Sequence, residues 1–317
     1  MMALGWIFPG QGSQVIGMGK DFVENFSESK LVFEEASDSI SVDLKKLCFD
    51  GPINELTLTK NLQPCLLTVE ASIVAAIKAN TDKRPKICAG HSLGEYSAIY
   101  ASESLSISDA VKLTRFRGEA MQEAVPVGRG TMAAVLGLDA EKVTDLCSQV
   151  SGEFSKDSGE IVEPANFNAN GQVVIAGTVL AVQKATEVLK SDPQYKGGKS
   201  IALQVSAPFH CSLMKPAQEK MKEPLYNANF SDPKYIVIAN STSEPVKDRA
   251  AFANTLFDQI VQPVRWEQSM KKLSSFEVGE CLEIGPGKVL AGLMKRIDPS
   301  IKVSNISSLE TFKEVIK

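Results

Sequence analysis

The chain has 317 residues, of which 44% are hydrophobic and 23% are charged, and its formal net charge is −4. These values are typical of a globular protein with one large domain or two modest ones. The weak acidic charge and the lack of any long basic run argue against binding to nucleic acid.

The sequence has no feature that predicts a membrane protein or a secreted one. Residues 1–10 lack the basic region and the apolar stretch of a signal peptide. No run of about 18 apolar residues predicts a membrane span. The six cysteines are scattered without a C-x-x-C pair, which argues against a zinc site and a disulfide framework. We therefore expect a cytoplasmic protein with reduced thiols and no bound metal.

Strand-like runs alternate with helical periodicity along most of the chain. The predicted elements of the larger unit are strands at 4–8, 86–90, 235–239 and 280–284, and helices at 64–79, 93–102, 108–124, 251–261 and 289–296. This alternation predicts an α/β architecture with a mostly parallel sheet.

The middle of the chain has a different order of predicted strands and helices. It predicts, in order, a strand at 131–138, a helix at 139–150, strands at 161–168 and 172–177, a helix at 180–189 and a strand at 200–205. The Asn-Gly pair before residue 172 is a strong hairpin signal. The order β-α-β-β-α-β is that of a ferredoxin-like unit. We therefore predict that residues 128–203 form a small domain inserted into a larger one, which comprises residues 1–127 and 204–317.

The pentapeptide G-H-S-L-G at residues 90–94 follows a predicted strand and precedes a predicted helix. In this context G-x-S-x-G can expose a serine hydroxyl on a sharp turn, so Ser92 is a candidate nucleophile. The alternative is a small residue at a crowded turn. A serine nucleophile needs a base, which is usually histidine. Side chains of neighbouring residues on a sharp turn point apart, which makes His91 a poor base and leaves His210, the only other histidine.

His210 follows a predicted strand in a loop that Pro208 stiffens, a position typical of catalytic side chains on a rigid scaffold. The alternative is a structural histidine. No particular aspartate is evident as its orienting partner, and a backbone or amide carbonyl could fix the ring tautomer instead.

Arg117 occupies an apolar stripe of its predicted helix, whereas Arg115 lies off that stripe. Its own helix offers no carboxylate three or four residues away, and a buried guanidinium without a partner is costly. Either a distant acidic residue pairs with Arg117, or the residue binds an anionic ligand such as a carboxylate. The apolar members of the stripe are Ala110, Leu113, Ala120, Met121 and Ala124.

Gln11 lies between two glycines just after the first strand, where the backbone can approach a ligand and donate to an oxyanion. A plain polar turn is the alternative. The turn Gly285-Pro286-Gly287 does not continue as G-x-G-x-x-G, and Gly287-Lys288 does not complete a P-loop. The sequence therefore predicts no nucleotide cofactor.

Taken together, these segments resemble the malonyl-CoA:acyl carrier protein transacylases. The resemblance implies an α/β-hydrolase-like fold with a ferredoxin-like insertion. The resemblance covers nearly the whole chain, and the matching segments occur in the same order as in the family. They are F-P-G-Q-G-S-Q (8–14), G-H-S-L-G-E-Y (90–96), R-G (117–118) with M-Q (121–122), N-F-N (166–168), G-Q-V-V-I-A-G (171–177), S-A-P-F-H (206–210), P-V-R-W (263–266) and E-I-G-P-G (283–287).

The resemblance also implies a role for each site residue. Ser92 is implied to be the acylated nucleophile, and His210 the general acid and base that the Gln259 carbonyl orients. The backbone N–H groups of Gln11 and Leu93 are implied to form the oxyanion hole. Arg117 is implied to bind the malonate carboxylate, and Asn166 to line the site. Two departures, Cys211 for the common serine and Gln262 for the common asparagine, remove none of these groups.

The implied reaction is ping-pong transfer of malonyl from malonyl-CoA to the phosphopantetheine thiol of acyl carrier protein, without a resident cofactor. We expect a monomer that serves fatty acid synthesis. A serine esterase or thioesterase would share Ser92 and His210 without needing Arg117. A stand-alone acyltransferase of a polyketide pathway would have nearly the same sequence. A non-catalytic binding module would form no covalent adduct.

Overall fold

The computed structural model describes residues 3–205 and 207–316. Ser206, in the motif before His210, lies outside them. The strands of the described residues are β1 (Ala3–Phe8), β2 (Ile87–Gly90), β3 (Gly130–Leu136), β4 (Val162–Ala169), β5 (Gln172–Thr178), β6 (Lys199–Ala202), β7 (Ile236–Ile238), β8 (Val278–Ile284) and β9 (Lys302–Ile306).

The α-helices alternate with these strands in the larger part of the molecule. They are α1 (Lys20–Asn25), α2 (Ser27–Ile40), α3 (Leu44–Phe49), α4 (Ile53–Leu56), α5 (Thr59–Asn80), α6 (Gly94–Ala101), α7 (Ile107–Glu123), α8 (Ala140–Glu153), α9 (Val179–Ser191), α10 (Lys215–Tyr226), α11 (Arg249–Gln259), α12 (Trp266–Lys271), α13 (Val289–Ile297) and α14 (Leu309–Val315).

The larger sheet has the strand order β7-β2-β1-β8-β9, and every neighbouring pair is parallel. The prediction of an α/β fold with a mostly parallel sheet is confirmed. Because the strands are parallel, the residues that follow β1, β2, β7 and β8 meet at one edge of the sheet. That edge therefore brings together the segments after Phe8, Gly90, Ile238 and Ile284.

Helix α5 runs through the core of the larger unit and packs against α2 and α7. Its length and hydropathy would allow it to cross a membrane, but 83% of its most apolar window is buried inside the protein. The helix begins at Thr59, five residues before the predicted start at Pro64. Proline cannot donate to the carbonyl four residues earlier. The Arg115 guanidinium donates to that carbonyl of Lys60 instead, at 3.2 Å, which satisfies the acceptor.

The smaller sheet has the strand order β4-β5-β3-β6, and all its pairs are antiparallel. Helices α8 and α9 pack on it around a separate apolar cluster that includes Val135, Leu146 and Ile175. The predicted hairpin joins β4 to β5, and Gly171 has a φ of 72°, which a residue with a side chain adopts rarely.

Some elements differ from the prediction. The strand predicted at 200–205 ends at Ala202, because the next residues leave the sheet and line a cavity. The predictions leave helices α1 to α4, α12 and α14 and strand β9 unassigned. Strand β9 is polar and only partly buried at the sheet edge, so it lacks the apolar run that identifies a buried strand.

Candidate active site

Ser92 lies on a sharp turn between β2 and α6, with a left-handed φ of 55°. Glycines flank the turn because there is no room for side chains. A Cβ on Gly90 would collide with the Gly94 carbonyl, and one on Gly94 would collide with the Phe8 carbonyl of the neighbouring strand. The close packing of these backbones places Ser92, which is partly buried, at the edge of the sheet.

His210 reaches Ser92 from a loop 118 residues further along the chain, and its Nε2 lies 2.7 Å from Ser92 Oγ. The other ring nitrogen, Nδ1, lies 2.8 Å from the backbone carbonyl of Gln259. A carbonyl oxygen can only accept, so Nδ1 carries the proton and Nε2 is free to accept one from Ser92. The adjacent His91 bonds elsewhere, through Nε2 to Asn168 Oδ1 at 2.8 Å.

The surroundings of His210 keep its ring neutral. Burial and, to a smaller extent, the positive charge of Arg117 lower the pKa of His210 to about 3, although the hydrogen bond to the Gln259 carbonyl opposes the shift. A neutral imidazole is the form that can act as a general base.

Arg117 is fully buried directly beside Ser92. Its Nη1 donates to Gln63 Oε1 at 2.7 Å, and its Nη2 donates to Gln259 Oε1 at 2.9 Å and to Ser92 Oγ at 3.2 Å. The guanidinium also lies 5.5 Å from the centre of the Tyr96 ring. In the part of the chain that the structure describes, all its hydrogen-bond acceptors are uncharged. Of the two alternatives for Arg117, a structural ion pair is therefore not observed.

The backbone N–H groups of Gln11 and Leu93 belong to the turns that follow β1 and β2. Neither N–H donates to an acceptor among residues 3–205 and 207–316. The Gly10 backbone packs against the His91 carbonyl, where an added Cβ would lie 2.6 Å from the oxygen. This close approach holds the two turns beside each other.

A cavity of about 590 Å³ opens at Ser92, a size suited to a small-molecule ligand. The smaller sheet contributes Met132 and Asn166 to its wall, and the loop after β6 contributes Leu203. The structure thus brings Gln11, Asn166 and His210 to the same cavity as Ser92. Arg117 and Gln259 lie behind the serine and are fully buried.

Sequence reasoning missed Gln63, which contacts Arg117, and Asn240, which contacts the turn at Ser92. It also missed Glu95, which accepts a hydrogen bond from Gln259. Asn240 had a weak signal, because it follows the carboxyl end of a buried strand, whereas Gln63 lies just before the predicted start of its helix and Glu95 has no local signal.

Known proteins resemble this chain over nearly its whole length. The family described as acyl transferase domain matches residues 5–311. The malonyl CoA-acyl carrier protein transacylase of Bacillus subtilis (strain 168) is 43% identical over 318 residues, which cover 100% of this chain and 97% of the relative. The chain belongs to the malonyl-CoA:acyl carrier protein transacylase family. It is therefore an acyltransferase.

Solved structures of the family share the whole fold. The S-malonyltransferase of Burkholderia pseudomallei 1710b is 42% identical, with a TM-score of 0.93 and coverage of 99% of both chains. A malonyl-transacylase solved in complex with a type II polyketide acyl carrier protein is 37% identical, also with a TM-score of 0.93, over 99% of both chains.

Proposed function

We propose that this acyltransferase moves malonyl from malonyl-CoA to the phosphopantetheine thiol of acyl carrier protein through a malonyl-Ser92 intermediate. The observation that carries the proposal is the buried positive charge of Arg117, 3.2 Å from Ser92 Oγ and bonded only to uncharged acceptors among the described residues. The names of the relatives support the same donor and acceptor.

In the first half-reaction, Ser92 Oγ attacks the thioester carbonyl while His210 Nε2 takes the hydroxyl proton. The N–H groups of Gln11 and Leu93 donate to the negative oxygen of the tetrahedral intermediate. The carbon–sulfur bond then breaks, and His210 returns the proton to the sulfur of CoA. In the second half-reaction, His210 deprotonates the carrier thiol, which attacks malonyl-Ser92. Ser92 regains the proton as its ester bond breaks.

Arg117 selects the acyl group in this proposal. A malonyl carboxylate beside Ser92 meets a guanidinium that is hydrogen-bonded directly to no carboxylate among the described residues, whereas an acetyl group leaves that guanidinium without an anionic partner. Charge-assisted hydrogen bonds are typically worth about 1.5–3 kcal/mol, which corresponds to roughly 10- to 100-fold discrimination. Asn166, on the cavity wall, contributes a polar contact to the bound substrate.

We infer that residues 1–127 and 204–317 form an α/β-hydrolase-like catalytic domain and that residues 128–203 form an inserted ferredoxin-like subdomain. The antiparallel strand order β4-β5-β3-β6 and the separate apolar cluster support this division. The two units join through backbone hydrogen bonds between the segment Ala165–Phe167 and Val264, at 2.9 Å in each direction.

The pathway is proposed to be fatty acid synthesis in the cytoplasm, with the enzyme as a monomer. A polyketide pathway is the second candidate, because one structural relative was solved with a type II polyketide carrier.

The proposal is tested by following malonyl-CoA consumption with and without holo-acyl carrier protein. We expect consumption that depends on the carrier and yields malonyl-carrier, with little free malonate. Carrier-independent release of malonate would identify a thioesterase. Loss of all turnover in Ser92→Ala is the control for chemistry at the proposed serine.

A further inference from the structure

One buried carboxylate, that of Glu95, lies beneath the turn that carries Ser92. Glu95 is in the first turn of α6 and is fully buried. Its Oε2 accepts hydrogen bonds from Gln259 Nε2 at 2.7 Å and from the Asn240 backbone N–H at 3.1 Å. Its Oε1 accepts none from the described residues. Burial of a carboxylate without a directly bound cation costs free energy, which indicates that Glu95 has a role at this position.

Both residues that bind Glu95 also bind the backbone of Ser92. Asn240 Oδ1 accepts the Ser92 N–H at 2.7 Å, and Gln259 Nε2 donates to the Ser92 carbonyl at 2.9 Å. Asn240 Nδ2 also donates to the Gly90 carbonyl at 2.7 Å, at the end of β2. The left-handed turn at Ser92 is therefore held from below on both its N–H and its carbonyl side.

The amide of Gln259 connects Glu95 to Arg117. Its Nε2 faces Glu95 and the Ser92 carbonyl, so its Oε1 faces Arg117 Nη2 at 2.9 Å. A rotation of the amide by 180° would place an oxygen against two acceptors and an NH₂ group against a cation. The carboxylate of Glu95 thereby fixes which end of Gln259 meets Arg117.

We propose that Glu95 is a positioning residue for acyl transfer: through Gln259 and Asn240 it holds Ser92 in its reactive geometry and keeps the Gln259 oxygen on Arg117. This inference rests on the proposed malonyl transfer. In this arrangement the compensating negative charge is that of Glu95, and the amide group of Gln259 separates it from Arg117. Among the described residues, the guanidinium therefore has no directly bound carboxylate before substrate binds.

The test is single-turnover acylation of Ser92 by malonyl-CoA in Glu95→Gln and Glu95→Ala. We expect the rate to fall at least tenfold in Glu95→Gln and further in Glu95→Ala. The reaction of Ser92 with phenylmethylsulfonyl fluoride, which carries no carboxylate, should slow as well because the serine itself is displaced. Rates within twofold of wild type in both variants would overturn the proposal.

A matched control separates positioning from general damage to the core. Glu70 is also fully buried but, within the described part of the chain, makes no hydrogen bond to Gln259, Asn240 or Ser92. Glu70→Gln should therefore acylate at the wild-type rate, and an equal loss in Glu70→Gln and Glu95→Gln would contradict a specific role. If wild-type enzyme forms no malonyl-Ser92 at all, it is the proposed function that fails.

A second measurement on the wild-type enzyme does not depend on whether the variants fold. Burial raises the pKa of Glu95 to about 7, although its hydrogen bonds and the charge of Arg117 oppose the shift. The other titratable groups around this network are Arg117, Tyr96, His91 and His210; burial raises the pKa of Tyr96 and lowers those of both histidines. We expect wild-type acylation to fall about tenfold from pH 8 to pH 6, with a flat profile in Glu95→Gln. A wild-type rate that stays constant between pH 8 and pH 6 would overturn the proposal, as would the same slope in both enzymes.

Discussion

The backbone carbonyl of Gln259 accepts a hydrogen bond from His210 Nδ1 at 2.8 Å, in the place that a carboxylate takes in a Ser-His-Asp triad. An uncharged acceptor fixes the ring tautomer but adds no negative charge to stabilise an imidazolium. Together with burial and the nearby Arg117, this arrangement explains why the ring of His210 is held neutral.

The depressed pKa of His210 predicts a stability change at acid pH. The unfolded chain binds a proton at this residue below about pH 6.5, whereas the folded protein does not until about pH 3. Stability from the neutral ring is therefore present above pH 6.5 and is lost as the pH falls. We expect His210→Asn to reduce the slope of unfolding free energy against pH by up to about 1.4 kcal/mol per unit between pH 6 and pH 4. Denaturant unfolding at several pH values measures it, and an unchanged slope would show that His210 is not buried as a neutral ring.

Removal of Arg117 should abolish the preference for malonyl rather than the chemistry at Ser92. We expect Arg117→Ala to slow acylation by malonyl-CoA roughly 10- to 100-fold and to slow acylation by acetyl-CoA by a smaller factor. Competition between the two thioesters measures the ratio. Lys112→Ala is the matched control, because Lys112 is an exposed cation on the same helix. Full malonyl selectivity in Arg117→Ala would rule out this assignment.

A carboxylate placed directly on Arg117 should compete with the substrate. Gln259 Oε1 lies 2.9 Å from Arg117 Nη2, so Gln259→Glu would form the ion pair that the native structure lacks among its described residues. We expect the KM for malonyl-CoA to rise at least tenfold, since the substrate carboxylate must displace an internal one. We also expect kcat to fall, because the second oxygen of the new carboxylate faces Glu95 and the Ser92 carbonyl. Steady-state kinetics measure this change, with Gln262→Glu, an exposed position three residues later, as the control. An unchanged KM in Gln259→Glu would argue against malonate binding at Arg117.

The turn at Ser92 should not tolerate a side chain at Gly94. An added Cβ would collide with the Phe8 carbonyl of the adjacent strand, so we expect Gly94→Ala to lose several kcal/mol of stability or to fail to fold. A Cβ added to Gly152, within helix α8, would meet no other described atom within 4 Å. Gly152→Ala should be neutral or stabilising by roughly 0.5–1 kcal/mol. Thermal unfolding compares the two, and a wild-type midpoint for Gly94→Ala would refute the packing argument.

Much of the fold follows from local patterns in the sequence. The alternation of strands and helices is enough to predict a mostly parallel sheet, and Asn170-Gly171 is enough to predict the hairpin. Pattern reasoning failed where distant contacts decide the structure. Helix α5 continues through Pro64 because Arg115, far along the chain, satisfies the Lys60 carbonyl.

The site residues likewise divide into those that a local sequence pattern predicts and those that only the folded structure brings together. Ser92 lies in a short motif with a defined local geometry, and Arg117 is conspicuous as a charge in an apolar stripe. The roles of Glu95 and Asn240 are visible only in the folded structure, because the two residues are hydrogen-bonded to each other although 145 residues separate them in the sequence. No local pattern specifies such a contact.

The most direct test is to mix the purified protein with malonyl-CoA, and separately with acetyl-CoA, and to determine the intact mass before peptide mapping. We predict a malonyl adduct on Ser92 that holo-acyl carrier protein discharges, and only a scarce adduct from acetyl-CoA. An adduct on another residue, or release of free malonate without any adduct, would contradict the account.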